Sequence, residues 1–170
     1  MSQVLRDLRS MKAPDVKMLT KKNDIQPFTD ATSLEFLMVK NDCSLFSLAS
    51  HTKKRPNNLT LGRSFDGQLL DMVELGVNEY KSLTFYKGAP KKRVGSKPMF
   101  LFQGAEWETD DDIKKLKNLI LDWFRGEPVE SLMMKVRSSI LLRLCMPNKL
   151  LFLIRCFTPG PRSCHHCDKV

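Results

Sequence analysis

The sequence predicts a mixed α/β (α+β) sandwich, a sheet packed by helices. Three observations carry that prediction. Short apolar runs, each bounded by Asn, Asp, Gly or Pro, recur between Ser44 and Phe102 and read as buried strands. An apolar stripe at helical spacing occupies Ile113 to Phe124. The connections between these segments are short, and no internal repeat or low-complexity tract interrupts them.

Val4, Leu5 and Leu8 repeat at helical spacing, which predicts a short amphipathic helix over residues 2–12 that Pro14 ends. Thr20 to Asp30 is polar and basic and contains Pro27, the composition of an exposed connection. Thr29 or Asp30 stands where it can cap a helix from Ala31, with Glu35 in the first turn. Leu34, Phe36, Leu37 and Val39 do not separate helix from strand cleanly, and helix is preferred. Ser44 to Ala49 and Leu59 to Phe65 read as strands, and His51-Thr-Lys-Lys-Arg-Pro-Asn-Asn58 between them has the composition of a hairpin loop. A turn at Asp66-Gly67 leads into a third strand over Leu69 to Val77. Lys87 to Lys97 is a basic loop with Gly88, Pro90 and Gly95, and Pro98 to Phe102 is another buried strand. The clearest element is a helix over Thr109 to Arg125. Thr109 is the expected N-cap, and Asp110, Asp111 and Asp112 lie where the positive helix end favours acids. Ile113, Leu116, Ile120, Trp123 and Phe124 form its apolar face, and Gly126 terminates it.

At 170 residues with 42% apolar content, the chain suffices for one domain with a core. No apolar run reaches the roughly 18 residues that a membrane helix needs, and Met1 to Lys22 lacks the apolar stretch of a secretory signal. Four of the five cysteines follow residue 144, which is not the spread of a secreted disulfide scaffold, so a reducing compartment is expected. The net charge of +9 favours a polyanionic partner. Its distribution is uneven. Residues 1–105 carry 17 basic and 10 acidic side chains (+7), residues 106–130 carry 4 and 8 (−4), and residues 131–170 carry 7 and 1 (+6).

Catalytic constellations are hard to find. There is no phosphate-cradling Gly-Lys-Ser/Thr loop, no Gly-x-Gly-x-x-Gly and no Gly-x-Ser-x-Gly elbow. His51 is a single loop histidine. Asp71 and Glu74 could be paired carboxylates, but their offset of three puts them on opposite faces of a strand and on one face only of a helix, and no base or metal ligand accompanies them. Cys164-His165-His166-Cys167 offers zinc-like ligands, yet the only nearby thiols, Cys145 and Cys156, stand eleven apart, so no metal site and no cofactor are assigned. The basic loops make the better case. Lys53, Lys54 and Arg55 are followed by Asn57, Asn58 and Arg63, and cations and amides in such a loop can meet successive phosphates and sugar hydroxyls. Lys91, Lys92 and Arg93 form a second cluster beside Phe85 and Tyr86, which can stack on unpaired bases. For either cluster the plain alternative is a solvated loop.

Several blocks, in order, resemble the Brix-domain family of ribosome assembly factors. They are Lys21-Lys-Asn-Asp-Ile-Gln-Pro-Phe-Thr-Asp30, Thr32-Ser-Leu-Glu-Phe36, Lys53-Lys-Arg-Pro-Asn-Asn-Leu59, Gly62-Arg63, Phe65-Asp66, Leu70-Asp-Met-Val-Glu-Leu-Gly-Val77, Lys97-Pro98, Phe102 and Trp123-Phe-Arg-Gly126. The resemblance covers residues from about 14 to 132. It implies a Brix fold, incomplete here, of two similar halves that each resemble an anticodon-binding domain. It implies no catalysis and no cofactor, a place in the nucleus and nucleolus, and no membrane. The implied partners are 5S ribosomal RNA and pre-ribosomal RNA, the 5S-binding ribosomal proteins, and a protein like regulator of ribosome synthesis 1. The implied role is to help recruit the 5S ribonucleoprotein to the large-subunit precursor. Lys53, Lys54, Arg55, Asn57, Asn58 and Arg63 match a basic block of the family and are candidate RNA contacts, with Lys91, Lys92 and Arg93 beside them.

The expected organisation is an N-terminal helical segment (1–20), a partial Brix domain (21–132) and a divergent C-terminal tail (133–170). The family's further basic segment before residues 1–20 is missing from the expected match, and deletion of 133–170 is expected to cost little. Two other readings stand beside the RNA-binding one. The chain can be an interaction module without RNA affinity, working through Ile113 to Phe124 and the acidic segment, or a truncated inactive form. An enzyme acting on nucleic acid lacks any defensible catalytic set.

Overall fold

The computed structural model describes residues 1–21, 23, 25–85, 98–126, 140–145 and 151–156. Helix α1 (Ser2–Lys12) opens the chain, followed by α2 (Thr32–Lys40). Strands β1 (Leu45–Ser50), β2 (Asn58–Phe65) and β3 (Gln68–Gly76) form an antiparallel sheet in that order. A 3-10 turn (Leu83–Phe85) then precedes β4 (Met99–Gln103), α3 (Glu106–Thr109) and α4 (Asp111–Trp123). Strand β4 pairs in parallel with β5 (Ile140–Cys145), and β5 pairs antiparallel with β6 (Leu151–Cys156). The expected mixed α/β class is what the chain adopts.

The first sheet lies between two helical layers. Leu59, Leu61 and Leu75 turn one face toward Val4 of α1 and Leu116, Leu119, Ile120 and Trp123 of α4. On the other face Phe46 meets Leu34 and Met38 of α2. Side chains alternate along a strand, so β2 supplies both faces. Gly62 is opposite Phe46, and a Cβ there would lie 2.5 Å from the Phe46 ring and 2.8 Å from the Asp71 carbonyl oxygen. Only glycine admits that ring. At the far end, Asp66 (φ 51°) and Gly67 (φ 77°) make the two-residue turn between β2 and β3, both in the left-handed region that such a hairpin requires.

Helix α1 is part of this body. Val4 belongs to the main core, and the buried Asp7 ties the helix to the strap after β3. Its carboxylate accepts from Gln3 Nε2 (3.2 Å), Ser82 Oγ (3.1 Å), the Leu83 backbone N–H (2.8 Å) and the Tyr80 hydroxyl. Burial, then the bond to Asp7, pushes the Tyr80 hydroxyl pKa up to about 12.

Two local expectations are corrected. Thr109 does not cap the long helix. It ends the short helix that buries Trp107, and its hydroxyl donates to the Ala105 carbonyl (3.2 Å). The cap is Asp110, whose carboxylate accepts the Asp112 and Ile113 N–H groups. The apolar stripe of α4 also includes Leu119, which is 1% exposed, because positions i, i+3 and i+4 share one helix face and Leu119 flanks Leu116 on the side opposite Ile120. Each such burial contributes roughly 1.5–3 kcal/mol. At α2, Asp30 is the residue that takes the Thr32 N–H (2.9 Å), and hydrogen bonding from the Thr32 side chain, then from its N–H, lowers the Asp30 pKa, while Glu35 reaches across to the Leu69 N–H (2.8 Å).

The apolar runs after residue 139 are strands. β5 pairs with β4 from Met99↔Leu141 to Gln103↔Cys145, and Leu144 is buried in the main core. Removing them strips β4 of a partner, so the expectation of a cheap deletion does not fit. An aromatic series of Trp107, Phe102, Phe100 and Phe124, with centroids 4.9 to 6.0 Å apart, joins β4 to α3 and to the end of α4.

Candidate nucleic-acid interface

The expected RNA-facing block begins in the loop between β1 and β2. The loop is a built turn. Thr52 N–H donates to the Arg55 carbonyl (3.1 Å), and Arg55 N–H donates to Thr52 Oγ1 (3.0 Å). Lys53 and Lys54 occupy the two central positions and point into solvent. Neither forms a salt bridge among the described residues. Asn57 turns the chain back into β2 with a left-handed φ of 54°, which asparagine tolerates, and its N–H donates to His51 Nδ1 (3.2 Å). The Asn57 carbonyl accepts the Val77 N–H (2.8 Å), which anchors the loop to the end of β3.

The remaining block residues are not free in the same way. Arg55 folds back so that Nη1 meets Glu74 Oε2 at 2.5 Å. Asn58 is buried and donates from Nδ2 to Glu74 Oε1 (2.8 Å). Arg63 lies five residues further along β2, roughly 17 Å from Asn58 at the usual rise of a strand. Its guanidinium makes a fork with Asp71, Nε to Oδ1 and Nη2 to Oδ2 both at 2.7 Å, and its Nη1 meets Asp122 of α4. The Asp71 hydrogen bond, outweighing burial, raises the Arg63 pKa further. The sequence block is thus divided between two places. Lys53, Lys54, Arg55 and Asn57 gather at the loop, whereas Arg63 ties the sheet to α4.

Asp71 and Glu74 do lie on opposite faces of β3, as their spacing predicts, each answering a different arginine. What sequence reasoning missed was Glu74 as the loop's anchor and Asp122 as the second acid on Arg63. The signal for Glu74 was present in the hairpin register, which pairs Thr60 with Glu74 and Asn58 with Gly76. Lys91, Lys92 and Arg93, like Cys164 to Cys167, lie outside the described residues.

Beside Arg63 an open groove of about 510 Å³ is lined by Arg63, Phe100, Asn118, Leu121, Asp122 and Arg125, with Phe124. Its lining carries two arginines against one aspartate. The apolar face of α4 offers no free docking surface, since Leu116, Leu119, Ile120 and Trp123 are consumed by the chain's own core. In the acidic segment, Asp111 and Asp112 pair with Lys114 and Lys115. Among the described residues no group of three or more His, Cys, Asp or Glu side chains is placed to hold a metal ion, and no helix is long and apolar enough to cross a membrane.

A Brix-domain profile matches residues 1–155. The chain belongs to the Brix-domain family. The match takes in α1 and extends through β5 and most of β6, past the 14–132 span that the motif blocks had marked. The mouse (Mus musculus) Ribosome production factor 2 homolog is 43% identical over 151 residues, covering 89% of this chain and 49% of its own length. The Schizosaccharomyces pombe homolog of the same name is 46% identical over 129 residues, covering 76% of the chain and 40% of its own length. The Oryza sativa homolog is 42% identical over 170 residues, covering 96% and 54%. The chain spans about half the length of the curated relatives it matches.

Proposed function

We propose that this Brix-domain chain is a ribosome biogenesis factor that binds ribosomal RNA and assembly partners without catalysing a reaction. The names of its relatives, ribosome production factors, support the process. The observation that carries the RNA reading is the Thr52–Arg55 turn, which presents Lys53 and Lys54 exposed and, among the described residues, without a salt bridge. Two lysines on a fixed turn meet neighbouring phosphates with little loop ordering left to do. In this reading Lys53 and Lys54 are the primary contacts, Arg55 and Asn57 flank them, and Lys91, Lys92 and Arg93 extend the surface. Asn58 and Arg63 hold the sheet. The RNA is 5S ribosomal RNA within the pre-ribosomal RNA, in the nucleolus of the nucleus. A protein like regulator of ribosome synthesis 1 and the 5S-binding ribosomal proteins complete the assembly, which delivers the 5S ribonucleoprotein to the large-subunit precursor.

The test is binding of the full chain to 5S ribosomal RNA and to an unrelated RNA of equal length, at low and near-physiological salt. The double change Lys53→Ala with Lys54→Ala is measured in parallel. The expected result is salt-sensitive binding that the double change weakens, with a preference for 5S RNA. Binding indifferent to both lysines overturns the RNA-facing assignment of the loop, and equal affinity for the two RNAs overturns the 5S assignment.

A further inference from the structure

We propose that the Arg55–Glu74 ion pair is a latch under the lysine tip, which RNA opens by drawing the Arg55 guanidinium from Glu74 onto a phosphate. This rests on the RNA-facing reading of the tip. It adds that Glu74, a residue of the sheet, sets how tightly the loop binds.

Three features make the exchange feasible. The Arg55 side chain is 66% exposed, so its bond to Glu74 is a surface ion pair of small net worth. A phosphate offers the guanidinium two oxygens in the forked geometry that it binds best. Glu74, which is 23% exposed, is not stranded when Arg55 leaves, because Asn58 Nδ2 still donates to Oε1. The backbone of Arg55 stays fixed by its bonds to Thr52, so only the side chain swings and the lysines keep their places. Arg63 shows the contrasting case. Held by two carboxylates and 24% exposed, it has no comparable freedom.

While the latch is closed, Glu74 competes with RNA for Arg55. Weakening Glu74 therefore tightens binding. Glu74→Gln keeps an oxygen for Asn58 and removes the charge. Glu74→Asp keeps the charge and withdraws the carboxylate from reach of Arg55. Asp66→Asn, at the other end of the β2–β3 hairpin, changes the net charge by the same unit, and asparagine accepts the left-handed backbone there.

Affinity of the full chain for a fluorescein-labelled RNA hairpin is measured by anisotropy, with melting curves to confirm folding. Glu74→Gln is expected to bind about two- to five-fold tighter, the affinity equivalent of releasing an exposed ion pair. Glu74→Asp tightens by less, and Asp66→Asn by less than Glu74→Gln. With Arg55→Ala in place, the gain from Glu74→Gln shrinks to that of Asp66→Asn. The latch is overturned if Glu74→Gln gains no more than the charge control, or if its gain survives the loss of Arg55. Should the Lys53/Lys54 double change leave binding untouched, the RNA-facing reading fails and the latch falls with it. If the lysines matter and Glu74 does not, the latch alone is wrong.

Discussion

Lys54 and Arg63 belong to one basic stretch, and yet they end in opposite situations. Lys54 sits exposed at the tip of the β1–β2 loop and forms no salt bridge among the described residues, whereas Arg63 is enclosed between Asp71 and Asp122. The strand between them explains the difference. β3 returns antiparallel to β2, and it brings Glu74 beside the loop's base and Asp71 beside Arg63. Helix α4 then adds Asp122 on the sheet's inner face. Density of positive charge along the sequence says little about which cation can meet a polyanion. The acid delivered across the sheet decides it.

The strand that joins the two ends offers the largest perturbation. Gly62→Ala places a Cβ against the Phe46 ring and the Asp71 carbonyl, and the expected cost is about 1–3 kcal/mol or more, as for other overpacked cores. Urea unfolding checks it, and both ends of β2 should suffer together. A stability within a few tenths of a kcal/mol of the wild type would mean that the Phe46 ring moves aside freely. Arg63→Ala comes next. It leaves Asp71 and Asp122 without their shared cation, at a cost of about 1–3 kcal/mol. RNA affinity of the folded protein should stay within about two-fold, a change too small for a lost charged contact. A salt-dependent loss of RNA affinity without a loss of stability would place Arg63 at the interface and erase the distinction between the two ends.

Lys53→Ala with Lys54→Ala should do the reverse. The melting temperature stays unchanged, since neither side chain has a partner among the described residues. RNA affinity falls about ten-fold at near-physiological salt, and the slope of log affinity against log salt becomes shallower by roughly 1.4–1.8, two phosphate contacts' worth. An unaltered slope would return the loop to the status of a solvated surface.

Much of this architecture was legible in the residues. The helix over Ser2–Lys12, the three strands of the first sheet and the turn at Asp66-Gly67 follow from local spacing and turn chemistry, which act within a few residues. The end of α4's preceding segment was not legible, because Asp110 and Thr109 are both good caps and the choice depends on Trp107 finding the core. Nor were β5 and β6. Ile140–Cys145 and Leu151–Cys156 lack alternation, and their pairing with β4 depends on a crossover from a strand some forty residues earlier, of the length that parallel pairing demands. The candidate site divides along the same line. The composition of the loop named Lys53 and Lys54, but the fates of Arg55 and Arg63 were set by Glu74, Asp71 and Asp122, which register and packing bring from elsewhere.

The smallest effect sharpens the comparison from a third place. Asp7 is a buried carboxylate, whereas Asp71 and Asp122 around Arg63 are about one-third exposed (33% and 34%), and the partners of Asp7 are neutral donors, among them Tyr80. A neutral donor can lose its proton in alkali, and an arginine cannot. The folded-state pKa of Tyr80 is raised to about 12 from an ordinary value of 10. Below pH 10 both folded and unfolded chains keep the proton, and the full contribution is present. As the pH rises from 10 toward 12 the unfolded chain releases it first, so stability is lost across that window and the loss levels off above it. Tyr80→Phe removes this step. At neutral pH it costs about 1 kcal/mol or less, because Asp7 keeps Ser82, Leu83 and Gln3 as donors. The difference in stability between wild type and Tyr80→Phe, followed by urea unfolding from pH 8 to pH 12, should therefore shrink as the pH rises. A gap that stayed constant into alkali would mean that Tyr80 ionises as freely in the fold as in the open chain, and that Asp7 holds the strap through Ser82 and the Leu83 backbone alone.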